Sequence, residues 1–315
     1  IISDDKNIDI INESLFKQTK KGFYFKNLQL KDIYIKSKND CNDLLDFLNH
    51  GDYMLLDTNH LSKKDIIQIT ESAEDKGIYI FHILSENKYN ILKDKGINIY
   101  NFGSLNTIKS IRLTVKNPIS IINKRIFDFL FSLTFILTIY WWVYLVVSLL
   151  IKIQSKGPVL FKQERVGLDG NIFVCYKFRT MHLDETNSKD ITKVGDQRIF
   201  GVGRFMRKVN IDEFPQFINV FNGDMSVVGP RPHMVSEDKM LSEKISKYRM
   251  RRWVKPGITG YAAMKGFRGG TESLDLMQQR INLDVEYIEK WSFLLDIKIC
   301  IDTVLEIIFL KKKGY

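Results

Sequence analysis

Between Phe129 and Ile151 the chain runs for 23 residues without a charged side chain, a proline or a glycine. At 1.5 Å per residue a helix of that length is about 35 Å long, enough to cross the hydrocarbon core of a bilayer. A soluble helix of the same length would keep a polar face, so the run predicts a membrane segment. Its flanks are basic at both ends, Lys124 and Arg125 before it and Lys152, Lys156 and Lys162 after it. Basic flanks mark the cytoplasmic side, and their symmetry predicts a segment that dips into the membrane and returns. Asp128, at the edge of the run, is expected to pair with Lys124 or Arg125, because a lone carboxylate is costly in lipid.

The residues before this run read as alternating strands and helices. Tyr53–Asp57 and Ile78–Leu84 are short apolar, β-branched and aromatic runs, with a helical pattern over Ser62–Lys76 between them. A second helical stretch, Glu86–Lys95, leads into Ile97–Phe102. Strands spaced by helices predict a small parallel sheet. No Gly-rich phosphate loop accompanies it, so a dinucleotide cofactor site is not supported. Residues 1–118 hold 17 Lys and Arg against 16 Asp and Glu, so nine of the ten surplus positive charges fall in 119–315. That surplus favours anionic partners. Cys41, Cys175 and Cys300 lie far apart with no metal-ligand spacing, which argues for a reducing compartment and against a disulfide framework or zinc site.

Beyond the membrane run, Val159–Gln163 and Ile172–Phe178 flank Gly167-Leu168-Asp169-Gly170, the composition of a β-hairpin turn. The second strand leads into Lys177-Phe178-Arg179, two cations at strand period. Further on, Phe214, Phe217, Ile218 and Phe221 form one apolar helical stripe. Pro215 is tolerated only in a first turn, which places Asp212 and Glu213 at the start of that helix. Acidic residues there are common simply because they meet the helix dipole. Their company points further: Arg207 stands five residues before Asp212, and Arg231 is held between two prolines in Gly229-Pro230-Arg231-Pro232. A guanidinium fixed in this way suits bidentate phosphate binding.

Taken together, KRIFDF (124–129), GPVLFKQERVG (157–167), YKFRTM (176–181), DEFPQFINVFNGDMSVVGPRP (212–232), KPGITGYA (255–262) and LDVEYIEKWSFLLDIK (283–298) resemble the bacterial sugar transferases, the monotopic polyprenyl-phosphate phosphoglycosyl transferases. The motifs run in family order over essentially all of 119–315. The resemblance implies an α/β chain: a small Rossmann-like parallel-sheet domain (1–117), then a membrane-embedded helical hairpin (about 129–151) and a mostly helical α+β catalytic domain with a β-hairpin (118–315). Larger members carry membrane helices before the Rossmann-like domain, and the chain begins at Ile1, so a native N-terminus is expected to precede it.

By the same resemblance, the enzyme transfers a sugar-1-phosphate from a UDP-sugar to undecaprenyl phosphate and releases UMP. This is the first membrane step of exopolysaccharide, capsule or O-antigen (lipopolysaccharide) synthesis, at the cytoplasmic face of the bacterial inner membrane. Asp212 maps onto the covalent nucleophile, and Glu213 onto a residue that binds Mg²⁺ or handles the proton. Arg207 and Arg231, with Lys177 and Arg179 behind them, are the phosphate-contact candidates. Lys255 falls in the nucleotide-positioning loop, and Asp284 aligns with a carboxylate important for activity. Membrane lipids are expected partners, a homodimer through the α/β domain is compatible, and nucleic acid is not expected. The alternative is a catalytically silent membrane scaffold of the same fold. Members whose membrane segment turns back carry a helix breaker, often Ser-Pro, where this chain has Tyr140-Trp141; topology still predicts a bent, re-entrant segment. Ser246–Lys255 and Leu294–Leu310 are further candidates for the lipid interface.

Overall fold

The computed structural model describes residues 52–57, 62–83, 100–102, 105–109, 118–183, 196–267 and 273–309. Two compact units divide the chain: residues 1–112 together with 246–253, and residues 113–245 together with 254–315.

In the first unit, β1 (Tyr53–Asp57) and β2 (Tyr79–Ile83) pair in parallel through helix α1 (Lys63–Asp75). β3 (Tyr100–Phe102) and β4 (Leu105–Lys109) are antiparallel, and β4 also pairs antiparallel with β2, giving the order β1-β2-β4-β3. The sheet is therefore mixed, where strand–helix alternation predicted parallel strands. A parallel pair needs a long crossover, and only two residues separate β3 from β4. The expected helix Glu86–Lys95 lies outside the described residues.

The core of this unit is completed by residues from far along the chain. Trp253, in the turn Tyr248–Trp253, stacks on Tyr79 at a centroid distance of 4.7 Å and donates its indole N–H to the Gly77 carbonyl at 3.0 Å. Tyr248 and Met250 are fully buried. Ser246 Oγ and the Lys247 backbone N–H both donate to Asp75, and Lys247 Nζ pairs with Glu74. The aromatic and basic residues of this stretch thus form a core insert and not the lipid-facing strip expected of them.

The second unit begins with one long helix. α2 (Pro118–Phe135) passes through a π-helical turn (Ile136–Tyr140) into α3 (Trp141–Gln154), with right-handed helical dihedrals at both junctions. The expected hairpin is not formed, because the chain continues where it was predicted to turn back. One stripe of the helix packs against the rest of the unit along its whole length: Lys124, Asp128, Ser132, Tyr140, Val147 and Ile151 are all buried. A uniform α-helix turns about 100° per residue and would carry Ile151 to the side opposite Lys124; the wide π turn takes up roughly one residue of rotation and keeps both ends on one face. Lys124 Nζ donates to Asp296 (2.6 Å), the Val228 carbonyl (2.9 Å) and Tyr287 (3.2 Å). Asp128 accepts from Ser226 Oγ and the Val227 N–H, not from Lys124 or Arg125 as expected. The opposite face is apolar and exposed, including Ile126, Leu130, Leu137, Trp142, Leu145 and Leu149. By length and composition this helix is able to cross a membrane.

β5 (Leu160–Val166) and β6 (Ile172–Phe178) form the expected hairpin, with a longer first strand than the pattern indicated. α4 (Gly201–Lys208), a 3₁₀ turn (Ile211–Glu213) and α5 (Gln216–Asn222) follow. Tyr140, Val147, Ile151, Phe178, Phe200 and Met206 make the core between the long helix, β6 and α4. β7 (Ser226–Val228) pairs in parallel with β8 (Gly257–Thr259); α6 (Val235–Lys244) lies between them in the chain, and α7 (Tyr261–Met264), α8 (Leu274–Lys290) and α9 (Phe293–Ile308) complete the unit. α9 is two-faced: Asp296 and Ile299 are fully buried, whereas Leu294, Ile301 and Val304 are exposed.

Candidate active site

Two backbone features and one side chain bring Lys177, Arg207, Asp212 and Glu213 together. Gly203 of α4 lies so close to the end of β6 that a Cβ there would fall 2.2 Å from the Thr180 carbonyl oxygen. That approach sets Arg207, one turn on, beside Thr180, to whose hydroxyl it donates from Nε at 2.8 Å. Asn210 then adopts a left-handed conformation (φ 58°), which Asn tolerates better than most residues, and swings the chain into the 3₁₀ turn carrying Asp212 and Glu213. Finally, the fully buried Asn219 accepts from the Tyr176 N–H (3.1 Å) and donates to the Val174 carbonyl (2.7 Å), fastening α5 to the strand from which Lys177 projects.

Glu213 is the hub. Lys177 Nζ reaches its Oε1 at 2.7 Å, and the Arg231 guanidinium spans both oxygens at 2.8 and 3.3 Å. Burial would raise the Glu213 carboxyl, but the charges of Arg231 and Lys177 and their hydrogen bonds outweigh it and hold the group well below the usual carboxylate range. Asp212 is equally buried, yet it has no hydrogen-bond partner among the described residues. Burial, and next the Glu213 charge, push its carboxyl above the ordinary value, opposed by Lys177, Arg207 and Arg231. Arg165 of β5 adds a further cation whose charge is felt by Arg231 and Glu213. Four cations around two carboxylates leave an excess of positive charge, suited to a doubly anionic ligand.

The other predicted residues stand elsewhere. Arg179 turns inward and donates to the Pro158 carbonyl, to Ser155 Oγ and to the Ser155 carbonyl, fastening the chain just after the long helix. Lys255 lies at the opposite end of α5 from Asp212, where its ammonium and the Arg125 guanidinium both approach Gly223. Burial, then Arg125, lower the Lys255 ammonium from its ordinary value. Asp284 is buried on α8, one turn before Tyr287. Arg165 and Asn219 were not singled out from the sequence. The available signals were the alternation of Gln163 and Arg165 on one strand face, and an Asn inside the apolar pattern FINVFN.

The described residues hold no group of three His, Cys, Asp or Glu able to cage a metal ion. Mg²⁺ seldom has an all-protein cage; one or two carboxylates with phosphate oxygens and water suffice. The Glu213 carboxylate, with Asp212 beside it, would meet that modest requirement.

A buried carboxylate with no hydrogen-bond partner among the described residues stands beside a carboxylate clamped by Lys and Arg, on a body fastened to a long apolar helix, the architecture of a membrane-associated protein with a charged site of net positive sign. The chain belongs to the bacterial sugar transferase family, whose model matches residues 119–310. It is 48% identical over 162 residues to the UDP-glucose:undecaprenyl-phosphate glucose-1-phosphate transferase of Caulobacter vibrioides, which is 51% of this chain and 60% of that protein. To the Escherichia coli K12 protein of the same name it is 45% identical over 171 residues, 54% of this chain and 36% of that one. It is also 39% identical to the exopolysaccharide production protein PSS of Rhizobium leguminosarum bv. phaseoli, over 58% of this chain and 92% of that protein. The match thus spans less than two thirds of the first two relatives.

Proposed function

We propose that this chain is a polyprenyl-phosphate sugar-1-phosphate transferase with Asp212 as its nucleophile. An Asp212 oxygen attacks the sugar-proximal phosphorus of a UDP-sugar. The P–O bond to UMP breaks, UMP departs, and an aspartyl phosphosugar remains. A phosphate oxygen of undecaprenyl phosphate then attacks the same phosphorus, the bond to Asp212 breaks, and the carboxylate is regenerated with a polyprenyl diphosphate sugar as product. The observation that carries this reading is the division of labour in the pair: Glu213 takes the two cations, and Asp212 keeps its oxygens unbonded. A carboxylate nucleophile facing a diphosphate needs that charge neutralised, and Lys177, Arg207 and Arg231 are placed to do so. Mg²⁺, held with the help of Glu213, would supply further neutralisation of the phosphate oxygens.

The names of the relatives support UDP-glucose as the first donor to try, and exopolysaccharide synthesis as the setting. We place the exposed apolar face of the long helix in the lipid of the inner membrane, with the catalytic body on the cytoplasmic side. A helix accompanied by that body from Lys124 to Ile151, about 40 Å, is poorly arranged to cross alone. The first unit we read as Rossmann-like in its β1-α1-β2 part.

The test is to incubate the detergent-purified protein with UDP-glucose, UDP-galactose or UDP-N-acetylgalactosamine and Mg²⁺, measuring UMP release and the mass of the peptide bearing Asp212. Wild type should release UMP and carry a hexose phosphate on that peptide, and Asp212→Asn should do neither. A wild type that yields neither with any of these donors rules out the enzyme and leaves the scaffold reading.

A further inference from the structure

Arg231 is the central residue of a short span anchored at both ends. On one side, the Gly257 N–H donates to the Pro230 carbonyl and the Gly229 N–H to the Thr259 carbonyl, both at 2.9 Å. On the other, β5 grips the residues just after Arg231. Arg165 donates from a terminal guanidinium nitrogen to the Pro232 carbonyl at 3.0 Å, and from the other to Gln163 Oε1. Gln163 in turn donates to Met234 Sδ, and the Val166 N–H to the His233 carbonyl at 3.1 Å. Gln163 and Arg165 are two residues apart, so both face this span from one side of the strand. Of these contacts the Arg165 fork reaches nearest to Arg231, through Pro232, and a guanidinium suits the place because it holds two donors at fixed separation toward two acceptors. Its Nε is buried without a partner, a cost tolerated where the other donors are held.

We infer that Arg165 is a positioning residue for phosphate recognition: by bridging Gln163 and the Pro232 carbonyl it fixes the span that holds the Arg231 guanidinium over Glu213. The inference rests on the transferase reading and assigns no contact between Arg165 and substrate. Loss of the bridge lets the span shift, and Arg231 then meets the diphosphate less well. Lysine keeps the charge but offers no fork, so it does not restore the bridge.

The experiment is a double-mutant cycle on UMP release from UDP-glucose with wild type, Arg165→Lys, Arg231→Lys and the double variant, with thermal midpoints measured in parallel. Arg165→Lys should lower kcat/KM by about tenfold or more, mainly through KM, since a bound group loses a contact while the nucleophile is untouched. The double variant should be within about threefold of Arg231→Lys alone, because the two residues act on one contact. Should Arg165→Lys prove too unstable to assay, Gln163→Ala, which removes the other end of the bridge, is put through the same cycle. Losses that multiply in the double variant overturn the inference, as does Arg165→Lys activity equal to wild type. A wild type that releases no UMP removes the transferase reading, and this inference with it; an active wild type with independent losses removes the inference alone.

Discussion

Asp212 and Glu213 are adjacent in the chain but opposite in electrostatic fate. Glu213 is held ionised by Lys177 and Arg231, and its charge then disfavours ionisation of Asp212. A nucleophilic carboxylate must be ionised, so activity should fall on the acid side at a pH above the ordinary aspartate value of 3.8. Glu213→Gln removes the negative neighbour and should move that acid limb of kcat/KM to lower pH while reducing the maximum. A limb that stays in place would show that burial alone sets the Asp212 value, and one that moves up would overturn this account of the pair. The sign for stability is the reverse of an elevated group: because Glu213 is depressed in the fold, its contribution is complete above its ordinary value of 4.5 and is lost as pH falls toward the folded value. The Asp-Glu pair, Arg207 and the proline-bracketed Arg231 were legible because each is marked locally. The Lys177–Glu213 bond joins residues 36 positions apart, and nothing in either neighbourhood announces it. Arg179 carried the same strand-end signature as Lys177 yet turns into Ser155, since side-chain period says which face a residue shares and not what lies opposite.

The same division holds for whole elements. The β-hairpin was legible because turn chemistry and period-2 alternation are local, and the long helix because 23 uncharged residues leave few alternatives. Its π turn was not, because such a turn has no obligatory residue; the lack of proline and glycine did signal continuity, and the bent segment was expected on topology instead. The phase of the buried stripe yields a sharp expectation. Deleting Thr138, within the wide turn, should let the helix become regular α while Lys124, Tyr140 and Ile151 stay on one face. Deleting Leu130, outside it, should rotate one half by about 100° against the other and expose buried residues to lipid. Membrane-fraction yield and UMP release of the two deletions test this, and equal tolerance of both would refute the phasing argument. Asn219 offers a second check at this scale. Replacing it with alanine leaves the Tyr176 N–H and Val174 carbonyl to find other partners, a cost of about 1–3 kcal/mol in thermal or denaturant unfolding. Activity should fall with it as the strand bearing Lys177 loosens.

Across the whole molecule, the order of the chain and the order of its units disagree. The family resemblance implied a boundary near residue 117, and the first unit also takes in residues 246–253, although the chain enters and leaves them from the second. Their pattern of Tyr, Met and Trp among Arg and Lys read as a surface for lipid headgroups. Rings buried with a guanidinium over them, as Arg251 lies over Tyr248 at 5.2 Å, give the same composition, so the sequence could not separate the two. Trp253→Ala should therefore destabilise the first unit by roughly 3–5 kcal/mol, seen as faster amide exchange in α1 and β2. The insert also bears on how the catalytic part can be isolated. The family match, residues 119–310, looks like a natural expression boundary. Cutting there would discard α1 and β2, the cover of Trp253, Tyr248 and Met250, and present a greasy loop to solvent. Such a fragment should self-associate even in detergent, and polar substitutions at those three positions should be what renders it monodisperse.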